Sequence, residues 1–445
     1  MNWNQIISTT RLGQEELVSN DNKHSRTQFQ RDYDRIIFSS PFRRMQNKTQ
    51  VFPLPGSVFV HNRLTHSLEV ASVGRSLGSM FFEKAESENM IIENPLFQEI
   101  GSVVSAACLA HDMGNPPFGH SGEDAIAQFF KKSTEPRLRN ELSEAEWKDF
   151  TQFDGNANAF RLLSHQFNGR REGGFALTYS TLASIVKYPY ESMLTEKAKF
   201  GFFQSEKNLY ARIAKELGLT QISDSPARYN RHPLVFLVEA ADDICYQLMD
   251  LEDAHKLKIH NFEKTRSLLM GFFDPQTEIR QINRLNETLN LVSDPNEQIA
   301  YLRASVIGKL VKQCVEVFWA KQSEILSGSF QKPLIDCIPP ISLEAIKIIK
   351  NVSVKNIYND RSVVEIEISG YQIIGTLLEV FIEAMLNPKE GISRKMLMLI
   401  PDQYMGNHTT TYEKVQAVVD FVSGMTDLYA LDLYRKIKGI NIPGV

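Results

Sequence analysis

The chain is poor in cysteine, with four in 445 residues: Cys108, Cys245, Cys314 and Cys337. No two stand at Cys-x-x-Cys spacing, which argues against a zinc knuckle or a dithiol redox motif. Cys108 and Cys245 sit in apolar helical contexts and read as buried thiols, the pattern of a reducing cytosol, so a cytoplasmic location is expected. Long apolar runs are also lacking. No uninterrupted stretch approaches the roughly 20 residues of a membrane span. The opening Met-Asn-Trp-Asn-Gln-Ile-Ile-Ser has neither the basic nor the apolar region of a signal peptide, and no membrane partner is expected. Charge of one sign is missing too. Lys plus Arg (49) nearly balance Asp plus Glu (53), for a net −4. That argues against a protein that coats nucleic acid, yet leaves room for a local basic site. No internal repeat or low-complexity tract occurs.

What remains is an ordinary globular composition, 42% apolar and 23% charged, sufficient for a large core at this length. Its patterning is helical almost throughout. Apolar residues at helical spacing predict helices beginning near His61 and over 96–113, from about Gly119, from Asp154, up to Pro189, over 234–254, 262–275, 278–330, 372–386 and 412–438. The exception is 364–370, Val-Glu-Ile-Glu-Ile-Ser-Gly. Its strict alternation predicts a small strand, a β-hairpin element in the C-terminal part of a mostly α chain. Three regions are expected: a polar N-terminal arm (1–25), a core (26–260) and a C-terminal helical region (261–445) that completes a pocket or forms an oligomer interface. Prolines at 53 and 55 place an extended turn at 51–56. Between Lys23 and Lys48 seven cations face two aspartates, either a solvated surface or a ring near a polyphosphate.

Chemistry concentrates in 109–123, Leu-Ala-His-Asp-Met-Gly-Asn-Pro-Pro-Phe-Gly-His-Ser-Gly-Glu. A His-Asp pair closing a buried helix suits a hard or borderline cation, which takes imidazole nitrogen and carboxylate oxygen together. Gly114 stands where a helix stops. His120 and Glu123 share a face if a new helix starts near Gly119. Upstream, Arg63 and His66 lie on one side of a helix. Downstream, Glu239, Asp242, Asp243, Tyr246, Asp250 and Asp253 gather on one side of another, and carboxylates that close repel unless a cation or hydrogen-bond donors compensate. A lone histidine beside an apolar helix is usually structural, and His24, His165, His232, His255, His260 and His408 are read that way.

The series His66, His111-Asp112, Asp242 resembles the H…HD…D signature of HD-domain metal-dependent phosphohydrolases, and more narrowly the dGTPase-like deoxynucleoside triphosphate triphosphohydrolase family. The blocks at 42–52, 63–70, 111–120, 239–244 and 424–427 occur in that family's order, so the likeness runs from about 25 to 435. It implies an HD-domain helical core at 26–260. It implies hydrolysis of a deoxynucleoside triphosphate, dGTP foremost, to deoxynucleoside and tripolyphosphate by water attack at the α-phosphorus. Its metal ligands would be His66, His111, Asp112 and Asp242, for Mn²⁺ or Mg²⁺, with other transition metals allowed by the donor set. His120 and Glu123 look like the family's catalytic dyad. Asn115 stands where some relatives carry a second histidine, so that loop lacks an extra imidazole. Tyr246 would pack near sugar and phosphate, and Asp250 would accept from the 3′-hydroxyl. Arg63, Asn115, Lys187, Tyr188 and Lys199 complete the expected substrate site. The resemblance also implies a homo-oligomer, tetramer or hexamer, and allows a nucleotide or single-stranded DNA effector. Two alternatives compete: an HD-domain phosphohydrolase or phosphodiesterase acting on another nucleotide, and a nucleic-acid-binding regulator with a vestigial site.

Overall fold

A computed structural model describes residues 1–16, 26–52, 60–194, 199–358 and 361–440. Lys23 of the basic run and most of the turn at 51–56 lie outside them. The helices that position the site are α1 (Arg63–Ser87), α2 (Ile100–Ala110), α3 (Gly119–Lys132), α4 (Gly155–Ser164), α5 (Tyr179–Ile185), α6 (Val235–Lys256), α7 (Pro295–Ser327), α8 (Arg361–Leu386), α9 (Thr411–Ser423) and α10 (Asp427–Ile437).

Two apolar cores organise them. The larger gathers α1, α2, α5, α6 and α7. Small residues let α1 and α2 approach closely: a Cβ on Gly78 would lie 2.8 Å from Gly101 Cα. Across this pair runs α6, with Leu237, Ala241, Ile244, Cys245 and Leu248 all buried. The smaller core joins α3, α8, α9 and α10. The chain passes from the first core to the second through 111–119, so the His-Asp pair and the 114–119 loop lie at the seam between them.

Three expectations change. The stretch 364–370 is helix, the second turn onward of α8. Burial there follows helical spacing from Val363 and Gly370 through Ile373, Ile374, Leu377, Leu378, Phe381 and Met385, and a seven-residue alternation inside so long a 3.6-residue pattern cannot override it. The hairpin lies elsewhere, with β1 (Gln221–Asp224) antiparallel to β2 (Ala227–Tyr229) and Ser223 opposite Arg228. Second, residues 1–16 are no free arm. Trp3, Ile6, Ile7 and Leu12 are buried in the larger core, where the Trp3 ring meets Phe81 and Phe97 at 5.3 and 5.4 Å. Four apolar side chains in a polar context are enough to seat the segment. Third, 278–330 divides into Ile279–Leu291 and α7 at an Asp294-Pro295 start, and 412–438 divides into α9 and α10 at Gly424.

By length and composition, Val363–Leu386 could cross a membrane, but 56% of that apolar window is buried inside the protein. It packs on α3, α9 and α10. The helix is apolar because it is the spine of the second core.

Candidate metal centre and proton-transfer dyad

Asn62 caps α1 reciprocally with Thr65, which fixes where the helix starts and hence which way Arg63 and His66 point in its first turn. His111 follows the last residue of α2. Asp242 comes from the second turn of α6. The donor atoms of His66, His111 and Asp112 lie within 4.8 Å of one another. Asp242 Oδ1 lies 3.1 Å from His66 Nε2 and 3.5 Å from His111 Nε2. Two imidazoles and two carboxylates from three helices thus converge on one point.

The arrangement fits a cation on its own evidence. His111 Nδ1 is 2.6 Å from the Cys108 carbonyl, which makes it the protonated nitrogen. Its Nε2 is then the nitrogen left to meet a cation, and it is buried without a hydrogen-bond partner among the described residues. A buried ring nitrogen so placed beside two carboxylates fits a metal ligand. Burial disfavours charge on His111, but Asp112 and Asp242 outweigh it and raise its pKa to about 9. Burial also raises Asp112, but Arg63, His111 and His66 together outweigh it and hold the carboxyl below its ordinary value. Both oxygens of that carboxylate are held: Arg63 Nη1 donates to Oδ2 at 2.7 Å and Asn115 Nδ2 to Oδ1 at 2.6 Å.

Beyond the ligands the chain turns through 114–119. Phe118 takes a left-handed conformation (φ 65°), rare for a bulky side chain. Its N–H is held by Asp427 Oδ1 at 3.0 Å, and Asp427 Oδ2 accepts from Thr49 N–H at 2.8 Å. Lys48, 3% exposed, donates to the Asn115 and Ser423 carbonyls at 2.6 and 2.9 Å. Burial, then Arg44, lowers its pKa to about 7. Asn158 Nδ2 reaches the Gly114 carbonyl at 2.6 Å.

The loop delivers His120 and Glu123 to the first turns of α3. His120 Nδ1 is 2.9 Å from Glu123 Oε2, and its side chain is 77% exposed while that of Glu123 is 8%. The other carboxylate oxygen accepts the Gly155 N–H at 2.7 Å. A Cβ on Gly155 would come within 2.3 Å of Asn115 Oδ1 and 2.6 Å of Glu123 Oε1, so the start of α4 must be glycine to seat the dyad. The Glu123 bond raises the His120 pKa. Glu123 itself, raised by burial, is brought down by His120 and Lys199.

Three of the candidate ligands, His111, Asp112 and Asp242, face one cavity of about 330 Å³ together with His120 and Glu123. Arg63, Asn115, Lys187, Tyr188, Lys199 and Tyr246 line it as well. His66 lies just behind the wall, with its ring centroid 5.4 Å from that of His111. Asp250 is not on the wall. It is 4% exposed, and Tyr358 Oη donates to it at 2.7 Å; burial raises its pKa to about 7.

Comparisons with known proteins give the family. The model of the HD domain matches residues 63–222, and that of the phosphohydrolase-associated domain matches 337–436. The deoxyguanosinetriphosphate triphosphohydrolase-like protein of Synechocystis sp. is 38% identical over 99% of this chain and 100% of its own length. The protein of the same name from Pseudomonas aeruginosa is 37% identical over the full length of both. The deoxyguanosinetriphosphate triphosphohydrolase of Yersinia pseudotuberculosis is 30% identical over 92% of this chain and 93% of its own length. The chain belongs to the dGTP triphosphohydrolase-like family of HD-domain hydrolases.

As an HD-domain hydrolase the protein has features that its sequence spacing did not reveal. The expected cations are already paired: Lys187 Nζ lies 2.9 Å from Glu239 Oε1, and Lys199 Nζ lies 3.3 Å from Asp154 Oδ1 and 3.6 Å from Glu123 Oε2. Arg231, not among the expected site residues, contacts Glu239 Oε2 at 3.1 Å. Gln50 and Asn156 line the cavity without having been singled out as site residues. The basic run contributes from beneath, through Lys48. Elsewhere Arg26 pairs with Asp34, and Arg35 with the carbonyls of Phe175 and Ala176. The signals were present in part. Lys48, Glu239 and Asp427 stand inside the family-like blocks, and Asp154-Gly155-Asn156 is a helix start.

Proposed function

We propose that this HD-domain hydrolase is a metal-dependent deoxynucleoside triphosphate triphosphohydrolase, with dGTP preferred, yielding deoxynucleoside and tripolyphosphate. One observation carries the reading. His111, Asp112 and Asp242, with His66 behind them, and a His120–Glu123 pair meet at the same cavity, with three cationic side chains in its wall. The relatives' names support the substrate class.

Held by His66, His111, Asp112 and Asp242, Mn²⁺ or Mg²⁺ would polarise a phosphoryl oxygen and acidify water. The chain's own part is orientation and proton transfer. Arg63 and Asn115 lock the Asp112 carboxylate. Glu123 holds His120 in one tautomer, leaving Nε2 to work. Water oxygen bonds to the α-phosphorus, the bond from phosphorus to the 5′-oxygen breaks, and His120 carries the proton that water loses to the 5′-oxygen that needs it. Arg63, Lys187 and Lys199 receive the tripolyphosphate charge, the two lysines by exchanging carboxylate partners for phosphate.

Tyr246 packs under the sugar and leaves no room for a 2′-hydroxyl. In a side-by-side assay, Tyr246→Ala should narrow the preference for dGTP over GTP by roughly tenfold or more; unchanged discrimination rules that role out. The decisive assay incubates the four dNTPs with each metal and identifies products. Tripolyphosphate with deoxynucleoside supports the reading, and orthophosphate or a nucleoside monophosphate overturns it.

A further inference from the structure

A second cavity, of about 710 Å³, lies between α4, α9 and the segment 402–408, and shares no lining residue with the first. Its volume is in the range of small-molecule sites. Its lining is unusual in carrying six amide side chains: Gln166, Asn168, Gln204, Gln403, Asn407 and Gln416. Amides offer donors and acceptors in one plane. Gln416 is 1% exposed and half-used. Its Nε2 donates to Asp420 at 3.2 Å, while its Oε1 has no partner among the described residues. A buried acceptor left that way is a cost that a ligand N–H relieves. Rings form a corner beside the amides. Phe167 meets His165 edge-on at 4.9 Å and Tyr404 edge-on at 5.6 Å, giving flat faces against which a planar heterocycle can pack.

The charges exclude a phosphate. Arg161 is the lining's one arginine or lysine, and its donors are engaged. Nε is 2.8 Å from Asp420 Oδ1, Nη2 is 2.8 Å from Asp420 Oδ2, and Nη1 is 2.6 Å from Glu206 Oε1. His165 adds no charge near neutrality, because burial and Arg161 lower its pKa to about 4. Glu146 and Glu413 add two more carboxylates to the wall. The lining carboxylates outnumber its one cation, and Arg170 beside the wall donates to Gln403 Oε1 at 3.0 Å, so an anion entering here meets net negative charge.

We propose that this cavity is a second binding site, specific for an uncharged nucleoside. The choice of nucleoside among planar, hydrogen-bonding ligands rests on the reaction proposed above, which releases one. The base fits the ring corner and the amide edges, and its sugar hydroxyls need no cation. A 5′-phosphate would be rejected by Asp420, Glu146 and Glu413.

The test is equilibrium dialysis of the full-length protein with labelled deoxyguanosine and deoxyguanosine 5′-monophosphate, with no turnover required. Gln416→Met removes the half-used amide. Asn407→Trp, at an exposed position, blocks the mouth without disturbing the core. Tyr246→Ala reports on the first cavity. Deoxyguanosine binding should weaken at least tenfold in both cavity variants, persist in Tyr246→Ala, and exceed monophosphate binding at least tenfold. No binding, binding unmoved by Asn407→Trp, or equal binding of the monophosphate overturns the proposal. Failure of the proposed reaction reads differently: a protein that releases no tripolyphosphate but binds deoxyguanosine in this way retains the site and loses the reaction.

Discussion

His120 is exposed to the cavity while its partner Glu123 is buried, so one half of the pair faces the cavity and the other faces the protein. Replacing His120 by Ala should lower kcat by roughly 10²–10⁴-fold and leave bound metal, measured by elemental analysis, unchanged. Metal lost together with rate would place His120 among the ligands instead. His111→Ala should lose metal and activity together while its circular dichroism stays helical. A different histidine supports the fold. His61 Nδ1 is 2.8 Å from Asp253 Oδ1, and its Nε2 is 3.2 Å from Glu69 Oε2. Burial lowers its pKa, but the two carboxylates outweigh that and raise it to about 10. With the folded value above the unfolded 6.5, the stabilisation is complete below about pH 6.5 and is lost as pH rises to about 10. His61→Gln should therefore cost about 1.5–3 kcal/mol at pH 6, and the gap in denaturant midpoints should close towards pH 10. At this scale the closeness of His111 to Asp112 and of His120 to Glu123 was legible in the sequence, since neighbours in a loop or on one helical turn must be neighbours in space, whereas His66 was joined to them only by the family likeness. The role of His61 was not legible, because its partner Asp253 lies on a helix far along the chain.

Helices as units were more legible than their partners. The start of α1, the end of α2 and the run of α6 all follow from caps and apolar spacing. The seven-residue alternation misled, because two-residue periodicity over one short stretch is compatible with a helix whose burial is set by the twenty residues around it. The contact of α4 with α3 was not readable either. Nothing in Asp154-Gly155-Asn156 says that the glycine must admit Glu123 and Asn115. Gly155→Ala tests that fit. Overpacking should destabilise by about 1–3 kcal/mol, and displacement of Glu123 should reduce kcat at least tenfold, with the two effects read separately by denaturation and by rate at saturating substrate. A rate within twofold of the natural protein would show that the dyad tolerates the shift.

For the molecule as a whole, the order of its blocks could be read but not how they close on one another. The candidate metal ligands span 66 to 242, and the loop that carries His120 is held from 427. Asp427→Ala frees the N–H groups of Phe118 and Thr49. A misplacement of about 1 Å can cost on the order of 10²-fold, so kcat should fall by about that factor while metal content holds. A rate that stays normal would show that Lys48 and Asn158 hold the loop alone. The Asp427 bridge also sets an order in time. During synthesis at about 5–20 residues per second, Asp427 leaves the ribosome roughly 10–40 s after Asp242. For that interval a nascent chain has its cation ligands but lacks the peg that seats the strained turn at Phe118. A messenger truncated anywhere between the two positions would therefore encode all four candidate ligands without the peg that seats the loop carrying His120.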